Sequence, residues 1–319
     1  MKINIGIIGY GNLGKAVEQI ILSKHNLNLV AIFSRRVITS RFNTKIESYE
    51  NISFYKDKID VMLLCGGSFA DLEQQTSEAI LYYDCINTFD NHKKIFSEYQ
   101  KLDEIAKSSN HRLIMCCGWD PGIFSIVRAL LFSISNEKPI VFWGKGISMG
   151  HSDALRRVDN VLDGIEFTVP NKNAINLVKK GKLPECDNLH FRECFVVADK
   201  QHHKLIDKKI KNIPDYFKGQ STSVEFVSHE SLLKLKSKMS HKGEIISNFN
   251  GVDGSKSQFI FKLKTSSNPS LTATIMTRYI EAIINLKNDK KSGAFTPLDI
   301  PVKSLFNKDF TQKLLETIC

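Results

Sequence analysis

A glycine-rich turn near the start of the chain restricts the possible folds more than any other feature. Residues 9–14 read GYGNLG, and they follow a short run of strand-forming residues, INIGII. Apolar residues at helical spacing come next, in 15–23, and a second apolar run occupies 27–33. These segments fit within one strand–helix–strand unit. The pattern therefore predicts two parallel strands joined by a helix, with the glycines in the first turn.

Three further apolar runs extend this pattern toward the middle of the chain. The runs 61–65, 85–89 and 111–117 have the length of strands, and the stretches between them have helical spacing. Continuous apolar runs are typical of parallel strands that helices cover on both faces. The sequence therefore predicts an α/β domain of the Rossmann type, with a doubly wound parallel sheet.

The character of the sequence changes after the motif GWDPG, at 118–122. A strongly apolar helix is predicted directly afterwards, and later runs such as CFVVAD, STSVEFV and SQFIFKLKT favour antiparallel strands. We therefore predict a nucleotide-binding domain over 1–118 and an α+β domain over 119–291. The remaining segment, 292–319, contains two prolines, and we expect it to pack back on the first domain.

The glycine turn has the chemistry of a dinucleotide site. Gly9 permits a tight turn, Gly11 lets the backbone approach a pyrophosphate, and Gly14 allows the helix to pack closely on the strand. The N–H groups at the start of the helix then face the phosphates. This reading depends on the context of the glycines, because a GxGxxG hexapeptide alone is weak evidence.

The residues that end the second strand indicate which dinucleotide is bound. The fingerprint usually has an acid about twenty residues beyond the glycines, where it binds the ribose hydroxyls. This chain has Ser34, Arg35 and Arg36 there instead. Arginines attract a 2′-phosphate, and the serine hydroxyl can donate to it. We therefore predict NADP as the cofactor.

Charge and cysteine content exclude other classes of protein. The net charge of +10 suggests nucleic acid at first, but the lysines are spread among acids over the whole length. We expect no nucleic-acid partner, because an anionic substrate and a phosphorylated cofactor explain a positive field equally well. The seven cysteines form no CxxC pair or metal-spaced cluster, so we expect no metal and a reducing, cytoplasmic location. No apolar run is long enough to cross a membrane.

Two aspartates follow neighbouring strands of the predicted sheet. Asp90 lies in TFDNH (88–92), and Asp120 lies in GWDPG. The carboxyl ends of parallel strands form the ligand crevice of such folds, so both acids are expected at one site. Paired acids suit an amine substrate, because a carboxylate can accept a proton from an ammonium group or from an attacking water. Each aspartate could also simply cap a turn.

Several motifs together resemble the meso-diaminopimelate dehydrogenase family. The similarity runs in order from residue 1 to about residue 300, and it includes GYGNLGKAVE, IFSRR, FDNH, GWDPGIFSI, FWGKGISMGHSDALRRV, CFVVAD, PDYF and SGAFT. GWDPG and GHSDALRR are much more specific than the glycine turn. The resemblance implies NADP-dependent, reversible oxidative deamination of the D-centre of meso-2,6-diaminopimelate. The products are ammonia and L-2-amino-6-oxopimelate, which cyclises to tetrahydrodipicolinate on the route to lysine.

The resemblance also implies a cytoplasmic homodimer and assigns site residues by position. Asp90 and Asp120 match the acids beside the reacting amino centre. The residues that match substrate contacts are Trp119, Trp143, Met149, Gly150, Thr168, Arg192, His241 and Asn268. The residues expected at the cofactor are Gly9, Tyr10, Gly11, Asn12, Leu13, Ser34, Arg35, Arg36, Cys65, Gly66, Gly67, Ser68, Thr88, Asp90, Asn91 and His92.

Other interpretations stay open from the residues alone. Arg192 and His241 could be solvated surface groups, and the two tryptophans could be ordinary core residues. The chain could be another NADP-linked oxidoreductase of the same architecture that acts on a D-amino acid or a related substrate. Cys116 and Cys117 lie beside GWDPG, so a thiol mechanism also stays open. A third possibility is an NADPH-binding sensor without catalysis.

Overall fold

A computed structural model of the chain describes residues 2–67, 69–135, 137–185, 189–237, 239–306 and 316–317. The described chain separates into two compact units, one formed by 1–125 with 269–319 and the other by 126–268. This division assigns the long helix after residue 268 to the first unit, whereas the sequence-based division placed that helix in the second domain. Within the described residues, every helix is too short or too polar to span a bilayer.

The first unit contains a seven-stranded sheet in which every neighbouring pair is parallel. Its strands are β1 (Ile3–Ile8), β2 (Leu27–Ser34), β3 (Ile46–Ser48), β4 (Val61–Leu64), β5 (Asp84–Asn87), β6 (Arg112–Ile114) and β14 (Gly293–Phe295). The order across the sheet is β14-β6-β5-β4-β1-β2-β3. Six of these strands have the Rossmann order, and β14 extends the sheet beside β6. The segment after residue 292 thus contributes a strand to the first unit.

Helices flank this sheet, as the sequence predicts. They are α1 (Asn12–Leu22), α2 (Asp71–Ala79), α3 (Ile95–Ser108) and, after the sequence of the second unit, α9 (Asn268–Asn288). A 3-10 helix, Tyr49–Tyr55, follows β3 in a segment whose structure could not be predicted from its residues. The strands β1 and β4 are buried along most of their length, and residues such as Ile8, Phe33 and Leu64 form one continuous core.

The second unit contains two smaller sheets. Strands β8 (Gly146–Ser148), β9 (Asp163–Pro170), β10 (His190–Val197) and β11 (Ser221–Phe226) form one sheet in the order β11-β10-β9-β8. Strands β7 (Ile140–Trp143), β12 (His241–Asn250) and β13 (Lys256–Thr265) form the other, in the order β13-β12-β7. All pairs are antiparallel except β10 with β11, which run parallel. The prediction that STSVEFV is an antiparallel strand is therefore wrong.

The reason for that error lies in the connection. Helix α7 (His203–Lys211) links β10 to β11, and a helical crossover returns the chain in a parallel direction. The sequence pattern of β11 alternates but contains no sign of direction. The other helices of this unit are α4 (Ile123–Ser135), which starts in the first unit, α5 (Met149–Arg156), α6 (Lys172–Lys179) and α8 (His229–Lys236). Two small cores form around Phe142 with Ile246 and around Ile165 with Leu232.

Candidate active site

The glycine turn between β1 and α1 has the geometry of a phosphate cradle. Gly9 has a φ of +90°, a backbone conformation that side chains disfavour. A Cβ on Gly14 would lie 2.2 Å from the Gly9 carbonyl oxygen, so the helix could not pack this close with any larger residue. A Cβ on Gly11, in contrast, would meet no atom within 4 Å. The space in front of Gly11 is open, which fits a pyrophosphate placed against the backbone at the helix N-terminus.

Tyr10 faces into the first unit. Its hydroxyl donates to Glu18 Oε2 at 2.5 Å and accepts from the backbone N–H of Arg41 at 3.0 Å. The Ser40 hydroxyl donates to the other Glu18 oxygen, also at 2.5 Å. Burial and the neighbouring Glu18 raise the pKa of the Tyr10 hydroxyl. These hydrogen bonds connect the segment after β2 to Glu18 of α1. The Tyr10 side chain therefore stabilises the glycine turn from within the first unit.

The residues that end β2 form a cationic corner. The Ser34 hydroxyl accepts a hydrogen bond from the Arg36 backbone N–H at 3.1 Å, which folds the corner tightly. The Arg35 guanidinium pairs with Asp71, the first residue of α2, and that carboxylate raises the pKa of Arg35. Arg35 is half exposed, and Arg36 is exposed. The corner fits a phosphate because both guanidinium groups and the hydroxyl lie within three consecutive residues.

The loop after β4 passes close to α2. Cys65 is buried, and its backbone N–H donates to the Ile8 carbonyl at 2.7 Å. A Cβ on Gly66 would come within 2.2 Å of the Gln75 side-chain oxygen, so a larger residue there would require Gln75 to move. Gly67 accepts hydrogen bonds from the N–H groups that start α2. Ser68, which the sequence places at the cofactor, lies outside the described residues.

Asp90 and Asp120 lie at the carboxyl edge of the sheet, in the loops that follow β5 and β6. Both are half-buried, and both act on the thiol of Cys116. Burial, followed by these two carboxyl groups, raises the pKa of Cys116. The two sequence-predicted acids therefore influence the same thiol electrostatically. Of their neighbours in the β5 loop, Asn91 is buried, Thr88 is half-buried and His92 is exposed.

Asn87 connects the two acid-bearing loops. Its side-chain oxygen accepts from the backbone N–H of Phe89 at 3.1 Å and from that of Cys116 at 3.2 Å. Its amide nitrogen donates to the Thr76 hydroxyl at 3.1 Å, and its carbonyl accepts from the Cys117 N–H at 2.9 Å. Only 1% of Asn87 is exposed. The sequence analysis did not identify this residue.

The thiols beside GWDPG do not favour nucleophilic chemistry. Cys116 and Cys117 are buried, and burial raises the pKa of each thiol. A thiol that stays protonated is a poor nucleophile. Trp119 is also buried, and its ring packs edge-on against Phe124 with ring centroids 5.1 Å apart.

The second unit contains a buried polar cluster on β9 and β10. Arg192 lies directly opposite Thr168 in the antiparallel pair, and its Nη1 donates to the Thr168 hydroxyl at 2.5 Å. The Thr168 hydroxyl donates in turn to Glu166 Oε1 at 3.0 Å, and Arg192 Nη1 lies 3.5 Å from the same oxygen. Arg192 is 7% exposed, so it is not a solvated surface group. Among the described residues, none accepts a hydrogen bond from its buried Nε.

Trp143, at the end of β7, is fixed by a histidine that the sequence analysis did not identify. The Trp143 backbone N–H donates to His190 Nε2 at 2.7 Å, and the two rings stack with centroids 4.8 Å apart. Burial first, and then Arg192 and His241, lower the pKa of His190 to about 3. A neutral His190 accepts the Trp143 hydrogen bond, and the stacked ring orients the indole.

His241 is buried at the start of β12. Its Nδ1 lies 2.8 Å from the carbonyl of Lys242, and burial lowers the pKa of the ring to about 4. A Cβ on Gly146 would lie 2.5 Å from the His241 ring, so only glycine leaves space for it. Asn268 is also buried, and its amide donates to the Ile147 carbonyl at 3.3 Å. Both residues therefore lie against β8.

Met149 and Gly150 form the first turn of α5. The preceding residue, Ser148, caps the helix by accepting a hydrogen bond from the His151 N–H at 3.3 Å. N–H groups at a helix N-terminus attract anions, so a carboxylate contact through the backbone of Met149 and Gly150 is chemically reasonable. Met149 is half-buried and Gly150 is buried.

The structure thus forms two groups from the sequence-predicted residues. The first unit holds the glycine turn, the cationic corner, the two acids and Trp119. The second unit holds Trp143, Thr168, Arg192, His241 and Asn268 beside the start of α5. Within the described part of the chain, no group of three or more histidine, cysteine or acidic side chains could hold a metal ion.

Comparison with known proteins identifies the family. The family model described as "Diaminopimelic acid dehydrogenase C-terminal domain" matches residues 118–267. The meso-diaminopimelate D-dehydrogenase of Acetivibrio thermocellus is 41% identical, over 94% of this chain and 93% of that relative. The chain belongs to the meso-diaminopimelate D-dehydrogenase family. The prediction of this family is therefore confirmed.

Solved structures of the family resemble this chain over its full length. A diaminopimelate dehydrogenase of C. glutamicum in complex with diaminopimelate has a TM-score of 0.92 at 32% identity, covering 100% of this chain and 99% of that one. An engineered D-amino acid dehydrogenase bound to NADP+ has a TM-score of 0.95 at 31% identity, and both chains are covered completely. The predicted fold class, a doubly wound sheet with a further α+β region, is confirmed.

Proposed function

We propose that this chain is an NADP-dependent dehydrogenase that oxidises the D-configured amino centre of meso-2,6-diaminopimelate. The products are ammonia and L-2-amino-6-oxopimelate, which cyclises to tetrahydrodipicolinate, and the reaction is reversible. Family membership supports this activity. The structural observation that carries it is the position of Asp90 and Asp120, which lie near one thiol at the edge of the sheet where the glycine turn also lies.

The cofactor site fits NADP. The open space at Gly11 accommodates a pyrophosphate, and Ser34, Arg35 and Arg36 suit a 2′-phosphate. The first strands and their loops supply the remaining predicted contacts, at Cys65–Gly67 and Thr88–His92. When bound, the nicotinamide supplies the hydride acceptor for the reaction.

The two aspartates provide the proton transfers. An amine loses hydride readily only as the neutral form, so a carboxylate must accept a proton from the substrate ammonium group. The imine that results is hydrolysed by water, and a carboxylate accepts a proton from this water as it attacks. Asp90 and Asp120 supply two carboxyl groups near one position, which is sufficient for both tasks. The buried loops hold them in place, so that positioning contributes to the rate.

The polar cluster of the second unit supplies the groups that a dicarboxylate substrate requires. Arg192 presents a buried guanidinium whose Nε is available to an acceptor, and Thr168 lies beside it. Backbone N–H groups of Met149 and Gly150, with the Asn268 side-chain amide nearby along β8, add neutral donors. Neutral His241 donates its Nδ1–H to the Lys242 carbonyl, so its Nε2 has the character of an acceptor. Trp119 and Trp143 provide the apolar contacts to the methylene chain.

A homodimer is also part of the proposal. The second unit exposes apolar side chains on α4, among them Leu130 and Phe132, and on the edge strand β13, among them Phe259 and Ile260. Apolar surface of this kind is typical of subunit interfaces. Sedimentation of the purified protein tests the dimer.

The location that we propose is the cytoplasm, because the five described cysteines are free thiols, as expected in a reducing compartment.

The activity is tested by following absorbance of the reduced nicotinamide with purified protein and either NADP or NAD. The substrates are meso-, LL- and DD-diaminopimelate, with D-lysine as a further comparison. Rapid reduction of NADP with the meso isomer is the expected result. Tight NADPH binding without turnover of any isomer would support a sensor, and equal rates with NAD would contradict the role of the two arginines.

A further inference from the structure

The buried cluster on β9 and β10 contains a carboxyl group with no assigned role. Glu166 is completely buried, and its two oxygens accept hydrogen bonds from the Thr168 hydroxyl at 3.0 and 3.2 Å. Its backbone N–H donates to the Ser152 hydroxyl at 3.0 Å, and that hydroxyl donates to the Ser148 carbonyl at 2.6 Å. Glu166 is therefore fixed both to the polar cluster and to the first turns of α5.

In the described part of the chain, Arg192 is the cationic group that acts on Glu166. On β10, the charged and titratable groups that act on it are Arg192 and Glu193, and the Cys194 thiol lies directly opposite it. On β8 and α5, the uncharged Ser148 lies opposite Glu166, and the uncharged Ser152 accepts its backbone N–H. Helix α5 also carries His151, Asp153 and Arg156, and Arg156 lies 3.8 Å from Asp153 and donates to the Gly164 carbonyl. Helix α8 carries Lys236, but this lysine pairs with Asp163 at the start of β9. Within the described residues, Arg192 thus balances the charge of Glu166.

We propose that Glu166 is a positioning residue for Arg192, and that it takes up a proton when a substrate carboxylate binds Arg192. The inference rests on the proposed function, because it requires Arg192 to bind that carboxylate. Two carboxylates and one guanidinium in a buried site leave an unbalanced negative charge, which is unfavourable in a low dielectric. Protonation of Glu166 removes this unbalanced negative charge. The proton comes from solvent and binds a carboxylate oxygen, and no other bond forms or breaks.

The environment of Glu166 makes this uptake feasible near neutral pH. Burial raises its pKa to about 7, and the opposing effects of Arg192 and Thr168 do not offset the burial. At pH 8 the substrate-free site holds mostly the ionised form, so bound substrate changes its protonation. At pH 5.5 Glu166 is already protonated, and binding changes little. Substrate affinity therefore falls as the pH rises above 7, by up to about tenfold per pH unit.

Calorimetry measures this linkage directly. Meso-diaminopimelate is titrated into the NADPH-loaded enzyme, which cannot oxidise it, in phosphate and in Tris at pH 8, and in acetate and in MES at pH 5.5. The dependence of the binding enthalpy on the buffer gives the number of protons taken up. We expect the wild type to take up most of one proton more at pH 8 than at pH 5.5. The Glu166→Gln variant should lose this difference, and KM should lose its rise above pH 7.

Glu225→Gln is the matched control, because Glu225 is an exposed acid on β11 of the same sheet and is not among the groups that shift the pKa of Glu166. It should keep the wild-type uptake. Equal uptake in wild type and Glu166→Gln would overturn the inference, and so would equal uptake by the wild type at the two pH values, a comparison that needs no variant. If the wild type neither binds meso-diaminopimelate nor reduces NADP with it, the proposed function itself is wrong.

Discussion

The side-chain oxygen of Asn87 accepts a hydrogen bond from the backbone N–H of Cys116 at 3.2 Å, across the gap between two loops. The same oxygen accepts from Phe89 in its own loop. One loop carries Asp90 and the other carries Asp120, so a single buried amide sets the spacing of the two acids. Without the Asn87 side chain, the backbone N–H groups of Phe89 and Cys116 would lack this acceptor in a buried environment.

We expect Asn87→Ala to lower turnover by about 10- to 100-fold, because small displacements of positioned groups have effects of this size. It should also lower stability by about 2 kcal/mol, because buried N–H groups lose their acceptor. Asn87→Asp keeps the acceptor oxygens and should retain more activity. Steady-state kinetics and thermal melting check both effects. Ser109→Ala removes a hydrogen bond to Ile80 in the same unit and serves as the control; equal turnover in the two alanine variants would contradict the role of Asn87.

Gly11 and Gly14 should respond differently to alanine. A Cβ on Gly11 meets no protein atom, so Gly11→Ala should fold with a nearly unchanged melting temperature but bind NADPH at least tenfold more weakly. A Cβ on Gly14 collides with the Gly9 carbonyl, so Gly14→Ala should lower the melting temperature itself. Fluorescence titration with NADPH, combined with melting curves, separates the two effects. Unchanged NADPH affinity in a folded Gly11→Ala variant would contradict a phosphate at this position.

Arg36 should determine the preference for NADP. Arg35 is held by Asp71, whereas Arg36 is exposed at the corner that Ser34 closes. A charge-assisted hydrogen bond contributes about 1.5–3 kcal/mol, so Arg36→Ala should raise KM for NADP by about 10- to 100-fold. KM for NAD should change little, because NAD lacks the 2′-phosphate. Kinetics with both cofactors test this, with exposed Arg157, in the second unit, changed to alanine as the control. A parallel loss for NAD and NADP would mean that Arg36 acts on fold or substrate instead.

His190 should make the protein less stable in acid. The unfolded chain protonates this histidine near pH 6.5, whereas the folded protein does so only near pH 3. Between these values the unfolded state binds more protons, so stability falls as the pH falls, by up to about 1.4 kcal/mol per pH unit. His190→Gln keeps an acceptor for the Trp143 N–H and removes this titration. Its melting temperature should fall less between pH 6.5 and pH 5 than that of the wild type.

His229, an exposed residue at the start of α8, provides the comparison for that experiment. The His229→Gln variant should show the wild-type dependence on pH. If His190→Gln loses stability in acid as steeply as the wild type, His190 does not stay neutral in the folded protein.

The alternation of strands and helices in the first unit could be predicted from sequence, because each signal was local. The glycines, the apolar runs and the position of each acid after a strand together indicate a parallel sheet with a crevice at one edge. The direction of β11 could not be predicted, because it depends on the connection through α7 and not on its own residues. The helices α5 to α8 are short and were not predicted either, because eight or nine residues give a weak periodic signal.

The supporting residues of the site are harder to predict from sequence than the proposed substrate contacts. Asn87 ends an ordinary strand, and nothing in its neighbours indicates that its amide reaches another loop. His190 and Arg192 alternate along β10, and Glu166 and Thr168 alternate along β9, so period-2 spacing could have placed each pair on one face. Which strand lies beside which is a long-range property, and it decides that Thr168 meets Arg192.

The return of β14 to the edge of β6 has a consequence for synthesis of the protein. The parallel sheet that begins with residue 3 obtains its last strand only after residue 295 has been made. A growing chain on the ribosome therefore carries an incomplete nucleotide-binding unit, with the β6 edge unpaired, while the whole of the second unit is produced. Fragments cut after residue 125 share this condition, and their exposed edge is a place where two such chains can pair.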